Sequence, residues 1–260
     1  MTPSSSRRWP EFEGKVVIVT GGRAGIGRGV VGAFAENGAK VVVAGRRMDA
    51  AERIADAARL EFGTETVAVP FDASVAAECE ELIASAWRRF GAVDVLVNNA
   101  AYFALIPLLD AAPADAARML DTNLRGPLFC AQSLARRTIE SHRSSVIVNV
   151  SSISGARPAP GCGLYSASKA ALNSLTKSMA LEWTPLGVRV NGVAPGHVDT
   201  EGVRSDFETG KLDYERLTGA IPARRIADVS DVANAVLFLA SEQSRHVVGA
   251  TLTLDGGEAL

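Results

Sequence analysis

Short apolar runs alternate with longer amphipathic segments along almost the whole chain. The apolar runs are rich in β-branched residues and cover residues 16–19, 41–44, 67–69, 93–97, 146–150, 188–193 and 251–254. The segments with helical spacing of apolar positions cover residues 50–62, 76–90, 115–141, 165–183 and 229–240. Strands that are apolar on both faces are typical of a parallel sheet buried between two layers of helices. The pattern therefore predicts an α/β protein with a doubly wound parallel sheet flanked by helices on both faces.

The same pattern predicts a single domain. A chain of 260 residues with this alternation is long enough for one large core and commonly stays undivided. The first residues are rich in serine and proline and lack an apolar stretch, so they do not resemble a signal peptide. We expect residues 1–12 to be a flexible tail and residues 13–260 to be one folded domain.

Charge and cysteine content narrow the class of protein. Lysine and arginine number 27 against 29 acidic residues, so no broad basic field exists to attract nucleic acid or an anionic membrane. No run of about 18 apolar residues occurs, which argues against a membrane span. The three cysteines, Cys79, Cys130 and Cys162, are widely spaced and show no metal-ligand pairing. They indicate reduced thiols in a cytoplasmic protein, and no metal site is predicted.

A glycine-rich motif follows the first apolar run. Residues 20–27 read TGGRAGIG, and a helical pattern begins at Ile26. Glycines allow a tight turn and a close approach to a pyrophosphate, and the helix N-terminus that follows favours an anion. In this strand-turn-helix context, Gly21, Gly25 and Gly27 predict a dinucleotide site.

The end of the second apolar run indicates which dinucleotide. Proteins that use NAD commonly carry an acid there for the ribose 2′-hydroxyl, but this chain has Gly45, Arg46 and Arg47. A guanidinium binds a 2′-phosphate through charge-assisted hydrogen bonds, so Arg46, with help from Arg23, predicts NADP(H). The alternative is that Arg46 and Arg47 are ordinary surface charges, which leaves NAD(H) as the other cofactor.

Candidate chemistry comes from Ser152, Tyr165 and Lys169. On a helix, Tyr165 and Lys169 would lie on one face, where a lysine charge lowers the pKa of a phenol and suits it to proton exchange. Ser152 follows an apolar run, at the carboxyl edge where ligands of open α/β sheets bind. No histidine or aspartate makes a recognisable hydrolase motif with Ser152, so acyl-enzyme chemistry is disfavoured.

From about residue 14 to residue 257, these motifs resemble the short-chain dehydrogenase/reductase family. The landmarks occur in family order: residues 20–27, Asn98 to Ala101, Asn123, Ser152, Tyr165 with Lys169, Pro195 with Gly196, and residues 254–257. The resemblance implies a single Rossmann-type domain that binds a dinucleotide and carries the catalytic residues. Within the family, the chain looks most like the 3-oxoacyl-carrier-protein reductase group and nearby small sugar or alcohol dehydrogenases.

The resemblance also implies individual roles. Ser152 and Tyr165 would hold the substrate oxygen, Tyr165 would be the general acid/base, and Lys169 would lower its pKa and hold the nicotinamide ribose. Asn123 would position a water that links Lys169 to solvent, or it is only a kink or capping residue. The remaining cofactor residues that the resemblance implies, beyond the glycine turn and the arginines, are Ile26, Asp72, Ala73, Asn99, Ala100, Ala101, Pro195, Gly196, Val198 and Thr200.

Three positions keep two interpretations. Asp72 matches a family contact to adenine, but it also fits a capping turn before Ser74. His197 is either a substrate contact or part of a surface loop. Cys162 either lines the pocket or is an inert small apolar residue.

We expect an NADP(H)-dependent oxidoreductase that interconverts a carbonyl and a secondary alcohol. An NAD-linked alcohol, sugar or polyol dehydrogenase is the alternative, and a non-catalytic cofactor-binding protein is a further one. The resemblance implies a homotetramer, with residues 232–239 and 251–254 at the interface. Residues 200–219 lie where relatives place a mobile lid, and their mixture of apolar and charged residues predicts an apolar ketone or β-keto substrate.

Overall fold

The structure, a computed structural model, describes residues 9–260, and the element bounds below refer to that range. The strands are β1 (Val16–Thr20), β2 (Lys40–Gly45), β3 (Thr66–Pro70), β4 (Val95–Asn98), β5 (Ser145–Val150), β6 (Val188–Pro195) and β7 (Thr251–Leu254). The helices are α1 (Gly25–Glu36), α2 (Met48–Phe62), α3 (Ala76–Phe90), α4 (Pro113–Leu120), α5 (Gly126–Glu140), α6 (Gly163–Trp183), α7 (Glu201–Glu208), α8 (Tyr214–Ala220) and α9 (Val229–Ala240).

The strands form one parallel sheet in the order β3-β2-β1-β4-β5-β6-β7. Successive side chains of a strand point to opposite faces, and the sheet accordingly separates two apolar cores. In β1, Val17 and Val19 pack with α1, α2 and α9, whereas Val16 and Ile18 pack with α3, α5 and α6. This arrangement confirms the predicted α/β fold with helices on both faces.

The sequence pattern located the strands within about two residues of their observed ends but missed one interruption. The segment predicted as a single helix over residues 115–141 consists of α4, a π-helical turn Asp121–Arg125, and α5. Short π-helical turns of this kind are frequent at functional sites. Asn123 lies in this turn and is fully buried.

The predicted end of the N-terminal tail is wrong. Trp9 precedes a short 3-10 helix, Pro10–Phe12, and the side chains of Trp9 and Phe12 are both buried in the core. The Phe12 ring meets Phe34 of α1 edge to face, with ring centroids 5.0 Å apart. Burial of two aromatic side chains holds this segment against the domain, so the fold includes residues 9–12. Residues 1–8 of the predicted tail lie outside the described residues.

The sheet order reverses between β1 and β4, and in open α/β sheets ligands bind in the crevice at that point. The glycine turn after β1 and the loop after β4 meet there. Among the helices of residues 9–260, none combines the length and the apolar character needed to cross a membrane.

Candidate active site

The glycine turn after β1 forms a tight cradle. Gly21 and Gly25 have positive φ angles of 68° and 51°, a region that favours glycine. A Cβ added to Gly27 would lie 2.3 Å from the Gly21 carbonyl oxygen, so only glycine fits there. The Asn99 side chain donates to the carbonyl oxygens of Thr20 and Gly21 at 2.9 and 3.3 Å and holds the turn in place.

A cavity of 730 Å³ opens beside this turn and reaches Tyr165. Its lining contains most of the residues that the sequence predicted for the cofactor: Gly21, Arg23, Gly25, Ile26, Gly27, Arg46, Arg47, Asp72, Ala73, Asn99, Ala100, Ala101, Tyr165 and Thr200. Lys169, Pro195, Gly196 and Val198, also predicted, lie outside the lining. A glycine cradle that opens into a cavity of this size fits the phosphates of a dinucleotide.

Basic side chains gather at the end of β2. A Cβ on Gly45 would lie 3.9 Å from Cδ of Arg23, so the Arg23 stem covers this glycine. Arg46 is largely exposed, and its nearest guanidinium nitrogen lies 3.9 Å from a carboxylate oxygen of Asp72. An exposed ion pair at that distance contributes little to the stability of the fold. Arg46 can therefore bind another anion.

Asp72 caps the turn before Ser74, which was the second of its two predicted roles. Its Oδ1 accepts hydrogen bonds from the backbone N and the hydroxyl of Ser74, at 2.9 and 2.7 Å. Partial burial raises the pKa of Asp72, but the Ser74 hydrogen bonds and the Arg46 charge outweigh it, and the pKa is lowered. Asp72 also lines the cavity, so the capping role and a cofactor contact are compatible.

Ser152, Tyr165 and Lys169 come together between the end of β5 and the start of α6. The Ser152 hydroxyl accepts from Ser154 N at 3.1 Å, which starts a 3-10 helix after β5. Lys169 is 2% exposed, and its Nζ donates to the Val150 carbonyl at 2.8 Å. The same Nζ lies 5.6 Å from the centre of the Tyr165 ring. The helical spacing therefore brings the Tyr165 and Lys169 side chains close together.

The predicted direction of the Tyr165 pKa is wrong in this structure. Burial raises the pKa of Tyr165 to about 12, and a hydrogen bond from Ser152 lowers it only in part. Lys169 does not reverse this direction, because its Nζ donates to Val150 and its own burial lowers the pKa of Lys169 to about 8. Tyr165 thus holds its proton across the physiological range.

Ionisation of Lys169 predicts a measurable pH dependence of stability. Its pKa falls from 10.5 to about 8 on burial, so between these values the unfolded chain binds a proton that the folded chain has released. The free energy of unfolding therefore rises with pH through that window, by up to roughly 3 kcal/mol from this group. In urea titrations, the unmodified protein should gain about 2 kcal/mol more than Lys169→Met between about pH 7.5 and pH 10. Equal gains for the two proteins would contradict the buried, destabilised charge.

Asn123 has a structural role at the interruption between α4 and α5. It lies in the π-helical turn, and its side-chain amide makes hydrogen bonds to both the backbone N–H and the carbonyl of Tyr102. Its Oδ1 accepts from Tyr102 N at 2.7 Å, and its Nδ2 donates to Tyr102 O at 2.8 Å. Nδ2 also lies 3.1 Å from the hydroxyl of Ser168, the neighbour of Lys169. Asn123 therefore fixes the loop after β4 against the helix that carries Tyr165.

The segment after β6 is held by the C-terminus. His197 pairs with Glu258 through Nδ1 and Oε1 at 2.7 Å, and its backbone N donates to Oε2 at 3.1 Å. A Cβ on Gly196 would lie 2.6 Å from the same carboxylate, which explains the glycine. His197 therefore has a structural partner, Glu258, which favours its interpretation as part of a loop. Thr200 accepts from Val203 N at 3.4 Å and caps α7.

Glu201, which the sequence analysis missed, lies at the glycine turn. Its Oε2 accepts from Gly25 N at 3.1 Å, and its Oε1 lies 2.8 Å from a guanidinium nitrogen of Arg28. The carboxylate thus occupies the N-terminus of α1, where an anion is favoured. Nothing in the local sequence pattern could show this contact, because 176 residues separate Glu201 from Gly25. An incoming phosphate would compete with Glu201 for this amide.

Tyr102, Phe103 and Arg118 also line the cavity, and the sequence analysis missed all three. The Phe103 ring meets the Tyr165 ring edge to face, with centroids 5.0 Å apart. The Arg118 guanidinium lies 4.0 Å from the centre of the Tyr102 ring, in a cation-π contact. For Tyr102 and Phe103 the available signal in the sequence was their position directly after the Asn98 to Ala101 motif. Cys162 is buried at the start of α6 and is not in the cavity lining, which favours its apolar interpretation.

A doubly wound sheet with a glycine cradle and a Ser-Tyr-Lys site defines a dinucleotide-dependent oxidoreductase. Comparison with known proteins agrees: a family model described as enoyl-(acyl carrier protein) reductase matches residues 21–258. The chain belongs to the short-chain dehydrogenase/reductase family, and it is an enzyme acting between CH–OH and C=O groups.

Named relatives match along nearly their full length. The chain is 34% identical to sorbitol dehydrogenase of Cereibacter sphaeroides, covering 95% of this chain and 98% of that protein. It is 38% identical to L-rhamnose 1-dehydrogenase (NAD(P)(+)) of Azotobacter vinelandii, covering 94% and 96%. Among solved structures, ElxO with NADP bound has a TM-score of 0.88 and 30% identity, covering 94% and 98%.

Proposed function

We propose that this enzyme uses NADP(H) to interconvert a ketone and a secondary alcohol. The observation that carries the proposal is one cavity with Arg46 and Arg23 at the end of β2 and Tyr165 at its other end. The basic end has the chemistry to bind a 2′-phosphate, and the other end has a half-buried phenol for proton transfer. ElxO, whose structure contains NADP, supports this choice as a relative.

Each side chain of the site has its own role in the reaction. When bound, the nicotinamide ring supplies or accepts the hydride. Ser152 donates a hydrogen bond to the substrate oxygen, which stabilises the negative charge that develops there. In reduction, Tyr165 gives its proton to that oxygen, and in oxidation it takes the proton away. Lys169 holds the nicotinamide ribose, and Asn123 positions a water beside it.

Around these catalytic side chains, the remaining predicted residues hold the cofactor. Val198 would bind the carboxamide through its backbone and Thr200 through its hydroxyl, with Pro195 and Gly196 shaping the turn before them. Asn99, Ala100 and Ala101 would line the ribose side, and Asp72 and Ala73 the adenine side. The competition between Glu201 and an incoming phosphate makes α7, which starts the proposed lid, respond to cofactor binding.

An NAD-linked polyol or sugar dehydrogenase is the second candidate, and the sorbitol and L-rhamnose in the names of two relatives favour its substrate class. The deciding experiment is a panel of ketones, secondary alcohols, sugars and polyols, each assayed at the nicotinamide absorbance with NADP(H) and with NAD(H). Turnover of ketones with NADPH supports the proposal. Turnover of polyols with NAD⁺ alone would replace it with the second candidate.

A cytoplasmic homotetramer completes the proposal. The free thiols of Cys79, Cys130 and Cys162 support a reducing compartment. Helix α9 does not offer Val232, Val236 and Leu239 to such an interface, because these side chains are buried in the protein's own core. The remaining support is the edge strand β7, whose Leu252 is 40% exposed and whose free edge can pair with another copy.

Light scattering tests the assembly. At micromolar concentration we expect a mass about four times the 27.2 kDa of the chain. Leu252→Lys should lower that mass, because a charge on a paired edge strand opposes association. The matched change Leu60→Lys, on the exposed face of α2, should leave it unchanged. A monomer mass for the unmodified protein would contradict the proposal.

A further inference from the structure

The loop between β4 and α4 exposes an unusual number of apolar side chains. Residues 101–109 read AYFALIPLL and include no charged residue. Phe103, Leu105 and Leu108 are 54, 65 and 67% exposed. We call these three residues the apolar rim. Contiguous exposed apolar surface of this kind commonly marks a binding groove, since water contact with it is unfavourable.

The apolar rim is fixed in place beside the catalytic tyrosine. Ile106 N donates to Gly161 O at 2.8 Å, which ties the loop to the segment before α6. A Cβ on Gly161 would lie 3.7 Å from Leu105, and one on Gly163 would lie 2.7 Å from Leu108. The small residues at the start of α6 thus let the rim lie directly over the helix that carries Tyr165.

Phe103 is the member of the rim that reaches the site. Its ring stands at 87° to the Tyr165 ring, with the centroids 5.0 Å apart, and it lines the same cavity. Asn123 clamps the backbone of the preceding residue, Tyr102, so the position of Phe103 does not depend on a substrate. Half of the Phe103 surface remains open for an apolar group bound next to the phenol.

The charged side chains that line the cavity lie at the glycine turn and the end of β2 or have partners of their own. Arg23, Arg46 and Arg47 lie with the glycine turn and the end of β2, and Arg118 stacks on the Tyr102 ring. Glu201 is paired with Arg28 and bound to Gly25. Beside Tyr165, the cavity is lined by Phe103, whose ring contacts the Tyr165 ring. Next to the phenol, the Phe103 ring therefore offers an apolar surface and no hydrogen-bond partner for the hydroxyls of a polyol.

We infer that Phe103 is a specificity-determining residue that selects substrates with an aryl or medium-length alkyl group on the reacting carbon. The inference rests on the proposed function and names its substrate class: aryl-alkyl and dialkyl ketones with their secondary alcohols, in preference to sugars and polyols. An aromatic group gains contact area and an edge-to-face partner at Phe103. A polyol seated there would leave buried hydroxyls without hydrogen bonds, which is costly.

The test compares acetophenone, acetone and fructose in reduction with NADPH and NADH. The ratio of kcat/KM for acetophenone over acetone isolates the aryl group from the chemistry, which both ketones share. We expect Phe103→Ser to lower this ratio at least about tenfold, as for loss of a hydrophobic contact of ordinary size. Phe103→Leu should retain most of it. Leu60→Ser, a change at an exposed leucine of α2, is the matched control and should not alter it.

Two further results overturn the inference. A higher kcat/KM for fructose than for acetophenone would do so, as would a Phe103→Ser variant with an unchanged ratio. If the Phe103→Ser variant instead changes the mass in light scattering while keeping the ratio, the rim is a protein interface and not a substrate surface.

A binding measurement separates this inference from the proposed function. Saturation transfer in NMR reports contact between acetophenone and the NADP⁺-loaded protein without turnover. If no carbonyl compound reacts, the proposed function fails, while transfer that is present in the unmodified protein and lost in Phe103→Ser still supports the rim as the ligand surface. An absence of transfer in the unmodified protein would overturn the rim as well.

Discussion

Tyr165→Phe is expected to remove nearly all turnover while leaving NADPH affinity close to that of the unmodified protein. The change deletes the proton that the reaction transfers but keeps the ring that packs against Phe103. Its effect should fall on kcat more than on KM, since the lost interaction is made in the transition state. Steady-state kinetics in reduction, with NADPH binding followed by fluorescence titration, measure both quantities.

The pH profile adds a second readout for Tyr165. Because burial raises its pKa to about 12, the phenol is protonated below that value and ready to act as an acid in reduction. Oxidation requires the deprotonated form, so its rate should rise with pH over the alkaline range in the unmodified protein.

Lys169→Ala should weaken both turnover and NADPH binding. Residual activity above about a tenth in Tyr165→Phe, a loss below ~1.4 kcal/mol, would show that Tyr165 is not the acid/base.

Arg46→Asp is expected to reverse the cofactor preference from NADPH to NADH. The substitution replaces a cation that can bind the 2′-phosphate with a carboxylate that repels it and can accept a ribose hydroxyl. Hydrogen bonds to charged groups contribute about 1.5–3 kcal/mol, so NADPH affinity should fall by roughly tenfold or more. Fluorescence titrations of the two cofactors against both proteins give the ratio directly.

Arg53→Asp provides the matched control for Arg46. Arg53 is an exposed arginine of α2 that pairs with Asp49 at 3.2 Å, and its replacement changes the net charge by the same amount. Its cofactor ratio should stay that of the unmodified protein, because it lies outside the cavity lining. Equal affinity of the unmodified protein for NADPH and NADH would remove the basis for assigning Arg46 to the 2′-phosphate.

The sequence determined the fold class and the family, and it predicted the residues of the central site. Strand and helix periodicity are local properties, so the alternation of apolar runs located β1 to β7 without knowledge of their partners. The glycine motif and the spacing of Tyr165 and Lys169 are also local, since turn geometry and a shared helix face depend on a few neighbouring residues. These features led to the family, which the comparisons then confirmed.

Tertiary structure decided how the site is surrounded. The contact of Phe103 with Tyr165 and that of Glu201 with Gly25 join residues far apart in the chain, and no local pattern encodes them. The apolar residues of α9 looked like an interface in the sequence, but packing against the sheet uses them in the core.

The pKa of Tyr165 shows the same division most clearly. The sequence placed a cation one helical turn away and therefore predicted a lowered value. Burial, which exists only once the loop after β4 and α6 have packed together, has the opposite sign and the larger effect. Residue spacing determined which groups meet in this protein, whereas desolvation and long-range packing determined the charge and the surface that each presents.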